Sequence, residues 1–431
     1  MGMDPQGSSE RQAAGRADRA HDARAWKRAL LRVLPARWRP AAKRCARLAR
    51  AACTVIVGLG PAVAARLVRP VVRVRFGALP SARIGHYAEN TEIYLAQRDR
   101  LPARARPLDL FFHPRPVCND QLRRMWDRVL WTHPWAACFA RVSDMLPGAA
   151  AHRVVLDDST DRRGVLDGTP PHLAFTPAEE ARGRAALRAM GVPPDAPFVA
   201  FHARDEAYLR TLFPDGDWTY HAHRNAAVAH YLPAARALGE AGVWTVRMGM
   251  HVDAPLHEAG PTVVDYATRM RDPFLDIWLA ARCRFFLGCA SGLDGVATAL
   301  RVPVAYANYI PLGLFPNFSR RDLFIFKKLW LREEKRILTV REMAATPVAG
   351  FVHDRDYAGA GIEPVENSAH EIADLALEIH ARLSGAWTET EADRARQARF
   401  WSAFRDVLPP GARIRPRVGA AFLRENEELL P

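Results

Sequence analysis

The chain has 431 residues, 49% apolar and 25% charged, which is the composition of a folded, mostly soluble protein with more than one domain. The net charge of +14 is concentrated in residues 1–70, where 15 basic and 4 acidic residues give a local net of +11. Nucleic-acid binding by the rest of the chain is therefore not expected, and six scattered cysteines without a CxxC pair predict neither a zinc site nor a disulfide framework.

Residues 1–70 form a basic appendage that we expect to be helical or disordered. The apolar stretch 51–65 is interrupted by two glycines and a proline, which argues against a spanning helix, and its position argues against an export signal. Residues 26–34 and Trp38 mix basic and apolar side chains, a pattern typical of a segment on an anionic membrane surface. The alternative is a disordered basic tail. We expect a cytoplasmic protein, peripheral on the inner face of the cytoplasmic membrane if this segment binds lipid.

Residues 71–190 predict a first α/β domain. Alternating residues 71–76 and the apolar run 108–112 predict strands, and helices are expected at 87–97, 119–130 and 177–190. A second domain at 191–385 begins after the linker-like sequence GVPPDAP. Its predicted strands are 198–202, 243–247, 262–264, 285–287 and 302–305, and its clearest predicted helices are 225–238 and 274–281. This alternation predicts a parallel sheet whose ligands bind beyond the carboxyl ends of the strands.

Polar side chains follow each predicted strand of the second domain at the edge where ligands are expected. Ser291 and Gly292 begin a helix after the run FFLGCA, so they are either a phosphate site or an ordinary N-cap. Guanidinium groups of Arg204 and Arg247 suit a diphosphate, although surface ion pairs are the alternative. Asp265 is expected to hold a ribose or base edge, or to be structural.

The loop 205–223 is long enough to be functional. Asp217, His221 and His223 have ligand chemistry for a metal, but no second ligand set accompanies them. Arg224 and Asn225 better fit an anion-binding corner at a helix start, with simple capping by Asn225 as the alternative. Cys289 is either a reactive thiol or a small buried residue, and we expect the latter.

These motifs together resemble a bacterial family of glycosyltransferases that are distant relatives of the fucosyltransferases and belong with surface-polysaccharide assembly. The resemblance runs from about residue 83 to about residue 383, and each short motif is weak without the others. Its motifs are RIGH at 83–86, HARD at 202–205, HRN at 223–225, YLPA at 231–234, VRMG at 246–249, DYA at 265–267, DIWL at 276–279, FLGCASGL at 286–293 and NYIPLG at 308–313.

The resemblance implies a GT-B architecture, in which two Rossmann-like domains face a central cleft and the C-terminal one binds a nucleotide-sugar. It places Arg204 on the donor diphosphate, with His202 before it, and Ser291 on a phosphate. It also implies that no metal and no cofactor are needed, so the tripeptides at 215–217 and 354–356 are interpreted as chance DxD matches.

The implied reaction is an inverting transfer of a hexosyl or deoxyhexosyl group to a glycan or lipid-linked acceptor. Arg204, with Arg247, would stabilise the leaving diphosphate, while a base accepts the acceptor proton. His86, Asp205 and Asp217 are the candidate bases. The alternative function is a non-catalytic nucleotide-sugar-binding scaffold of an envelope assembly complex. A third hypothesis is nucleic-acid binding through residues 1–70.

The C-terminal region, residues 386–431, is expected to form a helix to about residue 407. Phe400, Trp401 and Phe404 would let that helix pack back on the first domain. A free amphipathic helix is the alternative.

Overall fold

The computed structural model describes residues 38–212, 219–316, 318–405 and 416–431. Within these ranges the protein contains two α/β domains with parallel sheets, as the resemblance implies. The membrane-surface segment predicted at residues 26–34 lies outside the described residues.

The first domain begins with a long helix that includes the apolar stretch 51–65. Helix α1 (Arg39–Leu67) passes through Gly58, Gly60 and Pro61 without interruption, although in the sequence these residues argue against a spanning helix. Among the described residues, one helix, spanning Pro40–Leu67, is long and apolar enough to cross a membrane by length and composition alone. The remaining elements of this domain are β1 (Val74–Ala78), α2 (Ile84–Asp99), β2 (Leu108–Phe112), α3 (Asp120–Val129), α4 (Ala136–Met145), β3 (Arg153–Val154) and α5 (Pro177–Ala189).

Three parallel strands in the order β2-β1-β3 form the first sheet, so this domain is a small version of the predicted Rossmann-like unit. Helix α4 was not predicted and covers part of the sheet beside α1. Local signals explain the other helices well. Asn119 caps α3 by accepting the Leu122 amide, and Thr176 with Glu179 forms a capping box at α5.

The second domain carries the larger sheet. Its first elements are β4 (Phe198–Phe201), α6 (Ala207–Leu212), α7 (Leu232–Glu240), β5 (Trp244–Arg247), β6 (Val263–Val264), α8 (Tyr266–Arg269), α9 (Pro273–Arg282), β7 (Phe286–Gly288), α10 (Gly292–Ala299), β8 (Val304–Tyr309) and β9 (Leu323–Phe326). Next come β10 (Lys328–Leu331), β11 (Arg336–Ile337), α11 (Val340–Ala345), α12 (Asp354–Gly359), β12 (Ile362–Val365), α13 (Ala369–Leu383), α14 (Glu391–Ala403), β13 (Arg417–Val418) and α15 (Ala420–Glu425).

Seven parallel strands lie in the order β13-β9-β8-β7-β4-β5-β6. Strand β4, the first of this sheet along the chain, lies beside β7, the fourth. The strands from β4 to β6 therefore run toward one edge of the sheet and those from β7 to β9 toward the other, as in a Rossmann fold. A crevice opens at such a reversal because the two connections leave toward opposite sides. Strands β10, β11 and β12 form a separate antiparallel sheet beside it.

The C-terminal helix packs differently from the sequence expectation. Phe400 of α14 contacts Phe324 and Phe326 of β9, and Trp401 contacts Phe315. The helix therefore covers the second domain's sheet, and the predicted return to the first domain is wrong. The physical reason is that β13 joins this sheet beside β9, which draws the C-terminal segment to that edge.

The two domains meet along α2 and α10. A Cβ atom added to Gly85 would lie 2.9 Å from the Cα of Gly292, so the two backbones are in direct contact. Asn119 extends the contact by donating to the Pro273 carbonyl at 2.8 Å. This crossing fixes the position of the first domain over the carboxyl ends of β4 and β7.

Candidate functional site

A cleft of about 600 Å³ lies between the two domains. It opens at the reversal point of the large sheet, where a Rossmann-type fold binds ligands. The second domain contributes the residues after β4 and β7, and the first domain contributes the start of α2. Seven of the predicted site residues line it, namely His86, His202, Arg204, Asp205, Arg224, Ser291 and Gly292.

One wall of the cleft is basic. Arg204 follows β4 and donates from Nη1 to the His221 carbonyl at 3.1 Å, and Arg224 donates to the Ala290 carbonyl. Neither guanidinium forms an ion pair with a carboxylate of the described residues. The Nε of Arg224 is buried and has no hydrogen-bond partner among those residues.

The two arginines repel each other. Burial and the adjacent charge of Arg224 lower the pKa of Arg204 to about 10, so it stays charged at neutral pH but at a cost. The charges of Glu206 and Asp354 act in the opposite direction, but a partly buried cation without a direct ion pair is still stabilised by a bound anion. An anion with two or more charged oxygens would supply the missing partner.

Ser291, predicted as either a phosphate ligand or an ordinary N-cap, lines the cleft and bonds to its own helix. Its amide and its hydroxyl both donate to the Asp294 carboxylate, at 2.6 and 3.0 Å. Asp294 thus places a negative charge at the start of α10, and burial raises the pKa of Asp294 to about 6. Gly85 of α2 also closes on this helix start. Of the two alternatives, the N-cap interpretation of Ser291 therefore fits the contacts better.

His202 lies on the cleft wall beside Arg204. Its Nδ1 is 3.0 Å from the Met248 carbonyl, which requires a proton on Nδ1 and leaves Nε2 as an acceptor. Burial lowers the pKa of His202 to about 4, so the ring is neutral at pH 7. A neutral ring with Nε2 as acceptor suits a ligand hydroxyl.

His223 repeats this arrangement. Its Nδ1 lies 2.6 Å from Asp354, the buried Nε2 has no hydrogen-bond partner among the described residues, and burial lowers its pKa. Asp354 also accepts the backbone amides of Ala222 and His223 at 2.7 Å each. This aspartate of the second DxD tripeptide is therefore a positioning residue for the basic wall.

The opposite wall comes from the first turns of α2. The Nδ1 of His86 is 3.3 Å from the Oδ1 of Asn90, and Asn90 donates to the Leu156 carbonyl at 2.8 Å. That chain of contacts orients the imidazole and leaves its Nε2 as the acceptor nitrogen. His86 is thus a predicted base whose ring is oriented by a hydrogen bond to Asn90 of the same helix.

Glu89 lies one turn after His86 and also lines the cleft. It was not predicted. Burial, and after it the charge of Asp294, raise the pKa of Glu89 well above its usual value. The sequence pattern that could have identified Glu89 is its spacing of three residues from His86, because that spacing places both side chains on one helix face.

The other two candidate bases are less suited or not described. Asp205 lines the cleft, but its two oxygens accept the amides of Ala207 and Asp253 at 3.0 and 3.2 Å, so it mainly fixes the loop. Burial raises the pKa of Asp205. Asp217 lies outside the described residues.

Two predicted donor ligands do not line the cleft. Arg247 is buried beside Asp265, at 3.5 Å, and donates to the Ala254 carbonyl at 2.7 Å. Asp265 accepts the Leu256 amide and the Thr268 hydroxyl. Both side chains bond to each other and to this loop, and neither lines the cleft, in contrast to their predicted role in donor binding.

Asn225 was predicted to contact an anion at a helix start, with simple capping as the alternative, and its observed contacts match neither role. Its carbonyl accepts the Lys327 ammonium at 2.7 Å and its amide group donates to Glu206 at 3.0 Å. The helix predicted to start there begins at Leu232, because short 3-10 turns fill the intervening segment. Asn225 supports the basic wall from behind and does not line the cleft.

Cys289 is a buried structural thiol, as expected. Its sulfur accepts the Arg204 amide at 3.2 Å, and burial raises its pKa to about 12. Among the described residues, the one group of side chains close enough to hold a metal ion is His370, Asp374 and Glu425, which lies on α13 and α15 outside the cleft lining.

No protein-family model matches this chain, and no curated protein is significantly similar to it in sequence. Two solved structures are similar in part. ADP-heptose LPS heptosyltransferase II of E. coli shares 16% identity over 58% of this chain and 90% of its own, with a TM-score of 0.35. The glycosyl transferase family 9 protein of Veillonella parvula DSM 2008 shares 12% identity over 55% of this chain and 80% of its own, also with a TM-score of 0.35. Overlap of this extent does not define a reaction.

Proposed function

We propose that the protein is a glycosyltransferase that moves a sugar from a nucleotide-sugar to an acceptor hydroxyl. The observation that carries this proposal is the pair Arg204 and Arg224 at the reversal point of the large sheet, whose guanidinium groups bond to backbone carbonyls and form no ion pair with a carboxylate of the described residues. A diphosphate offers charged oxygens that both guanidinium groups can bind. The neutral rings of His202 and His223 offer acceptors for the hydroxyl groups of a ribose or a sugar beside it.

The proposed reaction is a direct displacement. The acceptor oxygen forms a bond to the anomeric carbon while the bond from that carbon to the diphosphate oxygen breaks, and the electron pair leaves on the diphosphate. Arg204 and Arg224 stabilise that charge, and Nε2 of His86 accepts the acceptor proton. Attack from the first-domain wall, opposite the leaving group, would invert the anomeric configuration. The sequence resemblance favours a glycan or lipid-linked acceptor in surface-polysaccharide assembly, and a metal-independent reaction.

A thermal-shift screen of nucleoside diphosphates and nucleotide-sugars tests donor binding. A ligand at about 100 times its Kd is expected to stabilise the protein by roughly 2.7 kcal/mol. Arg204→Ala should weaken binding of that ligand by roughly 10- to 100-fold, because it removes a charged hydrogen-bonding partner. Arg184→Ala is the matched control, since Arg184 is an exposed arginine of α5 outside the cleft.

Turnover separates an enzyme from a binding scaffold. Release of the nucleoside diphosphate from the bound donor, lost in Arg204→Ala and retained in Arg184→Ala, is the expected result. Donor binding without hydrolysis or transfer to any acceptor would favour the scaffold alternative. If no nucleotide shifts the melting temperature, or if both variants bind equally, the proposal fails.

A further inference from the structure

Helix α1 is attached to the first domain by one face only. Gly58 approaches α4 so closely that a Cβ there would lie 2.6 Å from the Cys138 carbonyl, and Ala62 and Ala65 are buried. Arg66 secures the end of the helix by donating to the Ser143 carbonyl at 3.0 Å. The helix is therefore held in a defined rotation about its axis.

The apolar stripe of α1 lies on the exposed surface of the helix, outside this attachment. We use that name for five exposed side chains separated mainly by three or four residues, which places them on one face of the helix. Two of them are exposed by 76% or more, Ile56 at 77% and Leu67 at 76%. The full stripe consists of Leu48, Ile56, Leu59, Val63 and Leu67.

Basic residues continue the attached face toward the N-terminus, beyond the contact with α4. Lys43, Arg47 and Arg50 recur at helical spacing in line with Gly58, and Arg44 adjoins them. All four are exposed, and α1 contains no acidic residue. The helix thus has an apolar side and a cationic side.

Aromatic side chains extend the exposed surface at α4. Trp131 is 63% exposed and Trp135, at the start of α4, is 61% exposed. Gly58 faces Cys138 and Arg66 faces Ser143, so the two helices run in the same direction. Trp135 therefore lies toward the N-terminal half of α1. Tryptophan favours the boundary between lipid headgroups and acyl chains.

We infer that α1 lies in the plane of an anionic lipid bilayer and binds it through the apolar stripe, with its basic residues at the headgroups. Apolar burial and attraction of each basic residue to anionic lipid act together in such helices. A spanning arrangement is disfavoured because α4, which is attached to α1, exposes Arg141 and Asp144, and these would enter the hydrocarbon. Pairing with a second copy would bring two cationic helices together.

Vesicle flotation of the full chain tests this inference. The protein should float with vesicles of 70% phosphatidylcholine and 30% phosphatidylglycerol, should bind pure phosphatidylcholine more weakly, and should lose binding as salt increases. The double variant Ile56→Glu, Leu67→Glu should reduce the bound fraction at least tenfold. Leu377→Glu is its control, because Leu377 is an exposed leucine on α13 of the second domain.

A charge variant tests the basic side separately. Arg44→Glu with Arg47→Glu should lower binding to the anionic vesicles by roughly tenfold or more, because each basic residue near the surface contributes about 1 kcal/mol. Arg332→Glu, an exposed arginine of the second domain, should leave binding unchanged. Circular dichroism and the melting temperature show whether each variant is folded.

Three results would overturn the inference. One is equal vesicle binding by the wild type and the stripe variant. Another is resistance of the bound protein to carbonate extraction at high pH, which would indicate a spanning helix. The third is a lipid-free dimer that the stripe substitutions dissociate, together with no vesicle binding by the wild type.

Discussion

Arg301 of the second domain lies 2.8 Å from the fully buried carboxylate of Glu92 in the first domain. The same guanidinium donates to the Thr169 carbonyl at 2.8 Å, so it joins α2, the 169–170 segment and the end of α10. Removing one partner of a buried pair leaves the other charge without compensation.

Arg301→Met should therefore lower the free energy of unfolding by about 3–5 kcal/mol. Urea unfolding followed by circular dichroism measures the change. Arg320→Ala is the control, because Arg320 forms an exposed pair with Asp167 between the same domains, at 3.4 Å, and should cost less than about 1 kcal/mol. A similar small loss in both variants would mean that the buried pair does not hold the domains together.

His172 makes the same junction sensitive to pH. Burial alone would lower the pKa of His172, but its hydrogen bonds with Glu92 and Asp99 outweigh burial and raise the pKa. A raised pKa means that this contribution to stability is complete below the unfolded value of about 6.5 and is lost as pH rises through the folded value. The stability advantage of the wild type over His172→Gln should therefore shrink as pH rises above about 6.5. Melting temperatures across that range test this, and an advantage that grows with pH would contradict it.

The proposed base can be distinguished from its neighbour by paired substitutions. His86→Gln should lower kcat by about 10²- to 10⁴-fold while the donor-induced thermal shift stays unchanged. Glu89→Gln should keep most of the activity at pH 7, because burial and Asp294 raise the pKa of Glu89 and favour the protonated form that glutamine imitates. The reverse pattern, with loss in Glu89→Gln alone, would assign the base to Glu89.

Close packing at the domain crossing predicts the effect of one methyl group. Gly85→Ala would bring a Cβ within 2.9 Å of the Gly292 backbone, so the helices must separate, and we expect a loss of about 1–3 kcal/mol in stability. Gly60→Ala is the control in α1, where no atom lies within 4 Å of an added Cβ. It should be neutral or stabilising, because alanine favours a helix over glycine by about 1 kcal/mol. Equal stability of the two variants would show that the crossing is loosely packed.

Sequence patterns predicted an element well where the interactions that form it lie between residues close together in the chain. The α5 helix, predicted at 177–190 and observed at Pro177–Ala189, has a capping box and a proline in its first turn. Strands β4 to β8 of the second domain were predicted because buried parallel strands are short apolar runs, and their ends lie within two residues of the observed ones except that β8 continues to Tyr309. Strands β9 to β13 were not predicted, and β13 has only two residues, which carry too little pattern to predict.

Sequence patterns alone predict the alternation of strands and helices, and with it the edge of the sheet at which Arg204 and Ser291 lie. That follows because hydrophobic periodicity is a property of neighbours in the chain. Folding sets which polar groups remain available to a ligand. Arg204 and Arg224 form no ion pair with a carboxylate of the described residues, whereas Arg247 is buried beside Asp265 and Ser291 bonds to Asp294. The hydrogen-bond partners of a side chain depend on contacts distant in sequence and on the local backbone geometry. Residue type alone therefore does not show which donors and acceptors are already bonded.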